Sequence, residues 1–242
     1  MPLAGGNGLL NNLVAYWPSN EAGGANNILD LHSNALHLTQ VHSPGADTGK
    51  VYATARTFDG ANDYAYRNSA TLLQAGNVDL TVAVWVYLAS TAAERAVVGK
   101  YLTTGNQREW VFEWNPAESA FRFIVSTTGA NTFVIDADSF GVPTTTTWLM
   151  AIVWHDSVAD TINVQINNGS VDSAAHSGGI FASTAPFQIG GINGAAVIPW
   201  YGRIGPVMMW KSTAGLGGVL TAAQRTALWA AGAGLPYAQF TV

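Results

Sequence analysis

The amino-acid sequence predicts an all-β protein, a sandwich or a barrel, with one short helix near its C-terminal end. Three observations carry that prediction. Apolar and polar residues alternate with a period of two over several short segments, the spacing that sends successive side chains to opposite faces of a strand. Gly (26) and Pro (9) are scattered along the chain as turn punctuation rather than gathered into linkers. And nothing alternates strand with helix in the manner that builds a parallel sheet.

Taken in order, residues 80–88 place Val82, Val84, Val86 and Leu88 on one face, with Trp85 and Tyr87 on the other. Bulk on both faces predicts a central strand covered on both sides. Phe121, Phe123 and Val125 alternate next. Residues 148–155 read as a strand, turned by Asp156-Ser157-Val158-Ala159-Asp160 into the clearest alternation of all. There Ile162, Val164 and Ile166 oppose Thr161, Asn163 and Gln165. That strand ends at Asn168-Gly169, a pair expected to supply the positive φ angles of a tight hairpin. The helix begins at Thr221. A capping box is expected there, with the Thr221 hydroxyl serving the amide of Gln224 and the Gln224 side chain reaching back. Leu228 and Ala231 follow, and Gly232 is expected as the left-handed C-terminal cap.

Composition narrows the function. The 242 residues are enough to bury a large core, and they show no internal repeat or boundary, so residues 1–242 are expected to form one domain with its core at about 13–237. There is no cysteine, which excludes disulfides and thiolate metal sites. No basic and apolar leader is readable at the N-terminus, and no apolar run reaches the roughly 18 residues of a membrane span, so membrane insertion is not expected. A net charge of -5 without basic clusters argues against nucleic acid. Only 10% of residues are charged, where about 25% is ordinary. Sparse charge fits a surface of Ser, Thr, Asn and Gly, and equally a surface partly covered by partner chains, since interface cores are poor in charge.

Seven segments in order resemble one family. LVAYWPSNEAGG (13–24) resembles its opening strand and acidic turn, and FDGANDY (58–64) its Phe-Asp-Gly-x-x-Asp-Tyr signature. LTVAVWVYL (80–88) and VVGKY (97–101) are similar to the next strands, and TWLMAIVWHDSVADTINVQINNG (147–169) to its Trp-containing strand and hairpin. WYGRIGPVMMW (200–210) resembles the closing Gly-Arg-Ile strand, and LTAAQRTALWAAGAGLPY (220–237) the terminal helix and tail. Together they resemble a laminin-G-like domain of the concanavalin-A-like lectin-glucanase superfamily, in its single-domain bacterial or phage form. The resemblance implies a two-sheet antiparallel jelly-roll sandwich whose first and last strands pair, bringing the chain ends together. Many members carry Asp directly after Gly-Arg-Ile, where it helps hold calcium; here Gly205 and Pro206 stand there. No cofactor is therefore expected, although Asp30, at an acidic position of the early turn, is either a remaining oxygen ligand or a turn residue.

Glycosidases of related folds carry Glu-x-Asp-x-x-Glu on a strand. Glu113 to Glu118 imitates it, but the middle position is Asn115 and Pro116 interrupts pairing, so the segment reads as a strand ending in a turn. His32, His37 and His42 are five apart, a spacing that suits neither a helix nor a strand face. His155-Asp156 lacks a nucleophile serine, and Asp59 and Asp63 bracket a turn. Asn168-Gly169-Ser170 fits a glycosylation acceptor but reads as a hairpin turn. Glycan recognition needs exposed aromatic faces, and Trp110, Trp114, Trp200, Tyr201 and Trp210 are the candidate platforms.

The expected function is that of a non-catalytic binding or structural module, a decoration or adhesion protein on the surface of a virion or similar assembly. Its expected partners are further copies of itself or capsid and tail proteins, with cell-surface glycan as an added ligand. The alternatives are a free carbohydrate-binding lectin-like module and, last, a glycoside hydrolase.

Overall fold

The computed structural model describes residues 6–24 and 27–242. The reading of the N-terminal leader falls partly on residues 1–5, outside the described residues. In chain order the first strands are β1 (Leu13–Trp17), β2 (Thr39–Val41), β3 (Gly45–Thr48), β4 (Thr54–Asp59) and β5 (Tyr64–Arg67). Then come β6 (Asp79–Leu88), β7 (Arg95–Leu102), β8 (Gln107–Asn115), β9 (Ala120–Val125) and β10 (Phe133–Asp136). The last are β11 (Trp148–Asp156), β12 (Thr161–Ile166), β13 (Val171–Ala175), β14 (Phe187–Ile189) and β15 (Tyr201–Ser212), before helix α1 (Ala222–Trp229).

Two antiparallel sheets stack as a sandwich, as expected. One runs β13-β12-β11-β6-β15-β4-β3 with β1 also on β15; the other runs β10-β9-β8-β7-β14-β5-β2. The core between them is built by period-two alternation. Val82, Val84 and Val86 of β6 meet Trp110, Phe112 and Trp114 of β8 and Phe121 and Phe123 of β9 in one cluster. The opposite face of β6 carries Ala83 and Trp85 into a second cluster, covered by α1 and the chain ends. Trp85 stacks on Trp229 of the helix at 5.4 Å and 8°. β6 is thus central and buried on both faces, as its sequence requires.

β15 is long enough to serve three neighbours. Its register against β6 shifts between Ile204 and Val207, at Gly205-Pro206. Pro206 has no N–H to give a ladder, and a bulge is where a strand tolerates that. Before the bulge β15 pairs with β4, after it with β1. First and last strands therefore pair, and the ends meet: Asn7 Nδ2 donates to Gln239 O at 2.7 Å, and Thr241 N donates to Asn7 Oδ1 at 2.9 Å.

Two turn expectations shift. The hairpin between β12 and β13 places positive φ on Asn167 (53°) and Asn168 (56°), with Gly169 N donating to Ile166 O at 2.9 Å. The two-residue turn is Asn167-Asn168, one position before Asn168-Gly169, and the ladder resumes at Gln165↔Val171. The Thr221–Gln224 capping box is present in both directions. The helix ends earlier than Gly232, at left-handed Ala230 (φ 45°).

Candidate functional site

Four of the five candidate aromatic platforms present no ring to solvent. Trp110 and Trp114 share the inward face of β8. Trp200 is fully buried in the same cluster, its Nε1 donating to Arg203 O at 3.2 Å. Trp210 lies under the chain ends, with Nε1 donating to Leu9 O at 2.8 Å. Their large apolar area is spent in the core, which is where a sandwich gains most from it. Only Tyr201 is open, at 42% exposure, with the Arg95 guanidinium 5.7 Å from its ring centre.

The acidic candidates resolve into structural roles. Asp30 accepts hydrogen bonds from the N–H groups of Tyr16, His32 and Leu36, each at 2.9 Å, and so ties a turn. Gly205 lies against Trp85 and Trp148, whose atoms a Cβ there would meet at 3.2 and 3.4 Å. A side chain at that place presses on the Trp85 Cβ and the Trp148 indole. Asp59 accepts from the amides of Ala61 and Asn62, and Asp63 accepts from the Asp59 amide, closing the turn. Glu113 is buried beside Glu94, and burial, with Glu94 next, pushes its carboxyl up to about 8. Glu118 is exposed and reaches Arg122 at 3.9 Å.

The histidines do not converge either. His37 Nδ1 accepts from Asp30 N at 2.9 Å, while His32 Nδ1 meets the Tyr237 hydroxyl at 3.2 Å. His155 is buried and bonded through Nδ1 to Val78 O at 2.8 Å. Asp156 instead accepts from the amides of Val158 and Ala159.

What remains open is decided by the loop at residues 190–199. Ile192 and Ile198 lie on Ala96, Val111 and Ile124, roofing the middle of the outer face of the β10–β2 sheet. Gln188 pins the loop in both directions, donating to Ala195 O at 3.1 Å and accepting from Gly194 N at 2.6 Å. Open ground is left toward the sheet edges.

At the β10 edge, next to β13 of the other sheet, lies a cavity of about 360 Å³ lined by Thr127, Asn131, Phe133, Asp160, His176 and Ser177. Phe133 is 42% exposed. His176 holds it edge-on at 4.8 Å and is itself buried, its Nε2 donating to Gly179 O at 2.8 Å. In the neutral ring, that bond makes Nδ1 the acceptor. Asn131 Oδ1 accepts from Thr128 N at 3.0 Å and Thr128 Oγ1 at 2.6 Å, which orients its amide and leaves the NH₂ as a donor. Behind His176 stands His155, 5.7 Å away, whose Nε2 has no partner among the described residues. Burial depresses its basicity, so it backs the cleft as a neutral ring. Among the described residues, the lining holds one carboxylate, Asp160, and no Lys or Arg. Sequence reasoning missed this set. Phe133, Val134 and Ile135 are a short apolar run in a polar stretch, a readable hint of a strand, but only the fold brings His176 to Phe133.

The sequence profile of the family described as the concanavalin A-like lectin/glucanases superfamily matches residues 59–215. The chain belongs to this superfamily. No curated protein matches it in sequence. Among solved structures, this superfamily member is similar to the binding domain of Paraclostridial Mosquitocidal Protein 1, at 14% identity and a TM-score of 0.64, over 86% of this chain and 51% of that one. It is similar to domain 4 of AbnA, a GH43 extracellular arabinanase from Geobacillus stearothermophilus in complex with arabinotriose. That match has 16% identity and a TM-score of 0.60, over 88% of this chain and 98% of that one. A third likeness is to the botulinum neurotoxin serotype D ligand binding domain in complex with N-acetylneuraminic acid, at 11% identity and a TM-score of 0.60, over 88% and 51%. The chain thus spans about half the length of the two toxin domains. At these identities the likeness is one of fold.

Proposed function

We propose that this chain is a non-catalytic carbohydrate-binding module that takes a neutral sugar in the Phe133 cleft. The observation that carries the reading is a half-exposed aromatic ring set beside a carboxylate, an amide NH₂ donor and an imidazole in one cavity. A sugar offers an apolar C–H face to a ring and hydroxyls that donate to Asp160 and His176 and accept from Asn131. With a carboxylate and no cation on the wall, an anionic sugar is disfavoured there. The arabinotriose bound by the arabinanase domain and the N-acetylneuraminic acid bound by the toxin domain support a sugar ligand on this fold.

The glycosidase alternative finds little support, because neither Glu113 nor Glu118 lines the cavity. A surface role in a virion or similar assembly, with protein partners, is the wider setting we propose, supported by the 10 basic and 15 acidic residues being few for 242. Co-purification with a large particle, or self-association in light scattering, tests that setting; a monomer that captures no particle overturns it.

The sugar reading is tested by a glycan array followed by titration calorimetry. Phe133→Ala and Asp160→Asn should each weaken a neutral oligosaccharide at least about tenfold, equivalent to 1.4 kcal/mol, with unchanged melting. An array without neutral hits, or equal affinity in Phe133→Ala, overturns the site. Polysaccharide hydrolysis abolished by Glu113→Gln overturns the non-catalytic reading.

A further inference from the structure

We infer that the opposite edge of the same sheet holds a second ligand site, one that takes an acidic sugar through Arg67. The cavity there measures about 350 Å³ and is lined by His37, Thr39, Tyr66, Arg67, Asn68 and Ser69. It lies at the lower end of the roughly 300–1,000 Å³ typical of small-molecule sites. β5 and its partner β2 form its floor, with Tyr66 and Thr39 directly opposite each other in the ladder.

Arg67 is the unusual residue. Of the 10 basic residues in the chain, all but Arg67 and Lys50 are held by an ion pair or by two or more hydrogen bonds among the described residues, and Lys50 lies over the Trp85 ring at 5.9 Å. Arg56, Lys100, Arg122 and Arg203 pair with carboxylates. Arg95 and Lys211 each donate to two backbone carbonyls. Arg67 makes one hydrogen bond, from Nη1 to His37 O at 3.1 Å, and joins no ion pair among the described residues. A guanidinium has five donors in a planar fork, so most of Arg67's are without a partner among the described residues. A carboxylate is the group that fits such a fork two-pronged.

The rest of the wall argues for a sugar carrying that carboxylate rather than for a bare anion. Tyr66 lines the cavity as well, and Tyr64, 6.0 Å from its ring, donates from its hydroxyl to Gly194 O at 3.3 Å. Thr39 and Asn68 are exposed and have no side-chain partners among the described residues, so their hydroxyl and amide are available to sugar hydroxyls. The wall is also held in place. His37 is fixed by the Asp30 amide, and Ser69 donates to Ser183 O at 3.3 Å.

The site differs in charge from the Phe133 cleft and stands or falls separately from it. The test titrates the whole chain with glucuronate and with N-acetylneuraminate, alongside acetate and a neutral hexose, following chemical shifts by NMR. Asn68→Asp puts a carboxylate beside Arg67 at an exposed position without touching the fold, and should weaken both acidic sugars at least tenfold. Arg67→Lys should weaken them severalfold, and Phe133→Ala should leave them unchanged. Equal affinity in wild type and Asn68→Asp overturns the site, as does the absence of acidic-sugar shifts at residues 37–39 and 66–69. Acetate binding as tightly as glucuronate overturns the sugar class. Loss of neutral-sugar binding in Phe133→Ala with acidic-sugar binding intact supports the separation of the two sites.

Discussion

Lys100 Nζ lies 3.5 Å from Glu109 Oε2, and neither side chain is exposed to solvent. The pair joins β7 and β8 to the segments around Ala75 and Ser183–Ala185. Glu109 also accepts from Ala75 N and from Ser183 N and Oγ, while Lys100 donates to Ala185 O. Burial pulls both groups toward their neutral forms, and each charge opposes that pull on the other.

Removing one partner strands the other. Lys100→Met or Glu109→Gln should each lower stability by about 3–5 kcal/mol, the usual cost of an uncompensated buried charge or a broken buried network. The double replacement Lys100→Met/Glu109→Gln should cost less than the two single changes together. Urea unfolding of the four proteins measures it, and additive losses would show that the pair is not coupled.

Glu113 makes stability depend on pH. Its folded carboxyl, pushed up to about 8 by burial and by Glu94, holds its proton more tightly than the ordinary 4.5 of the unfolded chain. The sign follows from proton linkage. The stabilising share is complete below about pH 4.5 and is lost as pH rises through about 8. Glu113→Gln mimics the protonated acid and should remove that slope. Above pH 8 the variant should melt several degrees higher than wild type, since each kcal/mol moves Tm by about 2–4 °C at this size. Parallel melting curves across pH would contradict this.

The β12–β13 turn should be sensitive at Asn168 in a residue-specific way. Asn168 has φ 56°, and its Oδ1 accepts from Thr226 Oγ1 at 3.1 Å, joining the hairpin to α1. Asn168→Gly relieves the left-handed backbone and loses that bond, so stability should change by less than about 1 kcal/mol. Asn168→Val loses the bond and adds a β-branched side chain where none fits, costing about 2 kcal/mol. Thermal melts compare the two.

Much of the fold was legible because alternation is a local signal. The stripes at 82–88, 121–125 and 162–166 specify strands without reference to anything distant, and the Thr221–Gln224 box specifies a helix start within four residues. What alternation leaves open is which stripe faces in. Trp110 and Trp114 share parity with Phe112, and only the second sheet, absent from local sequence, makes that face a core. The turn was off by one because Asn167, Asn168 and Gly169 in succession all tolerate positive φ, so the local sequence does not choose between the two pairs. The Phe133 cleft was least legible, because two sheet edges from distant parts of the chain must close before His176 and Asp160 reach that ring.

The bonds between Asn7 and residues 239 and 241 have a topological consequence. Entry and exit lie at one point of the sandwich, so the body can be spliced into a loop of a carrier protein with short joints on either side. It would then hang from its host as a pendant whose two edges stay free. Rejoining the ends and opening the chain within the 157–160 turn should yield the same order of strands from a differently ordered sequence.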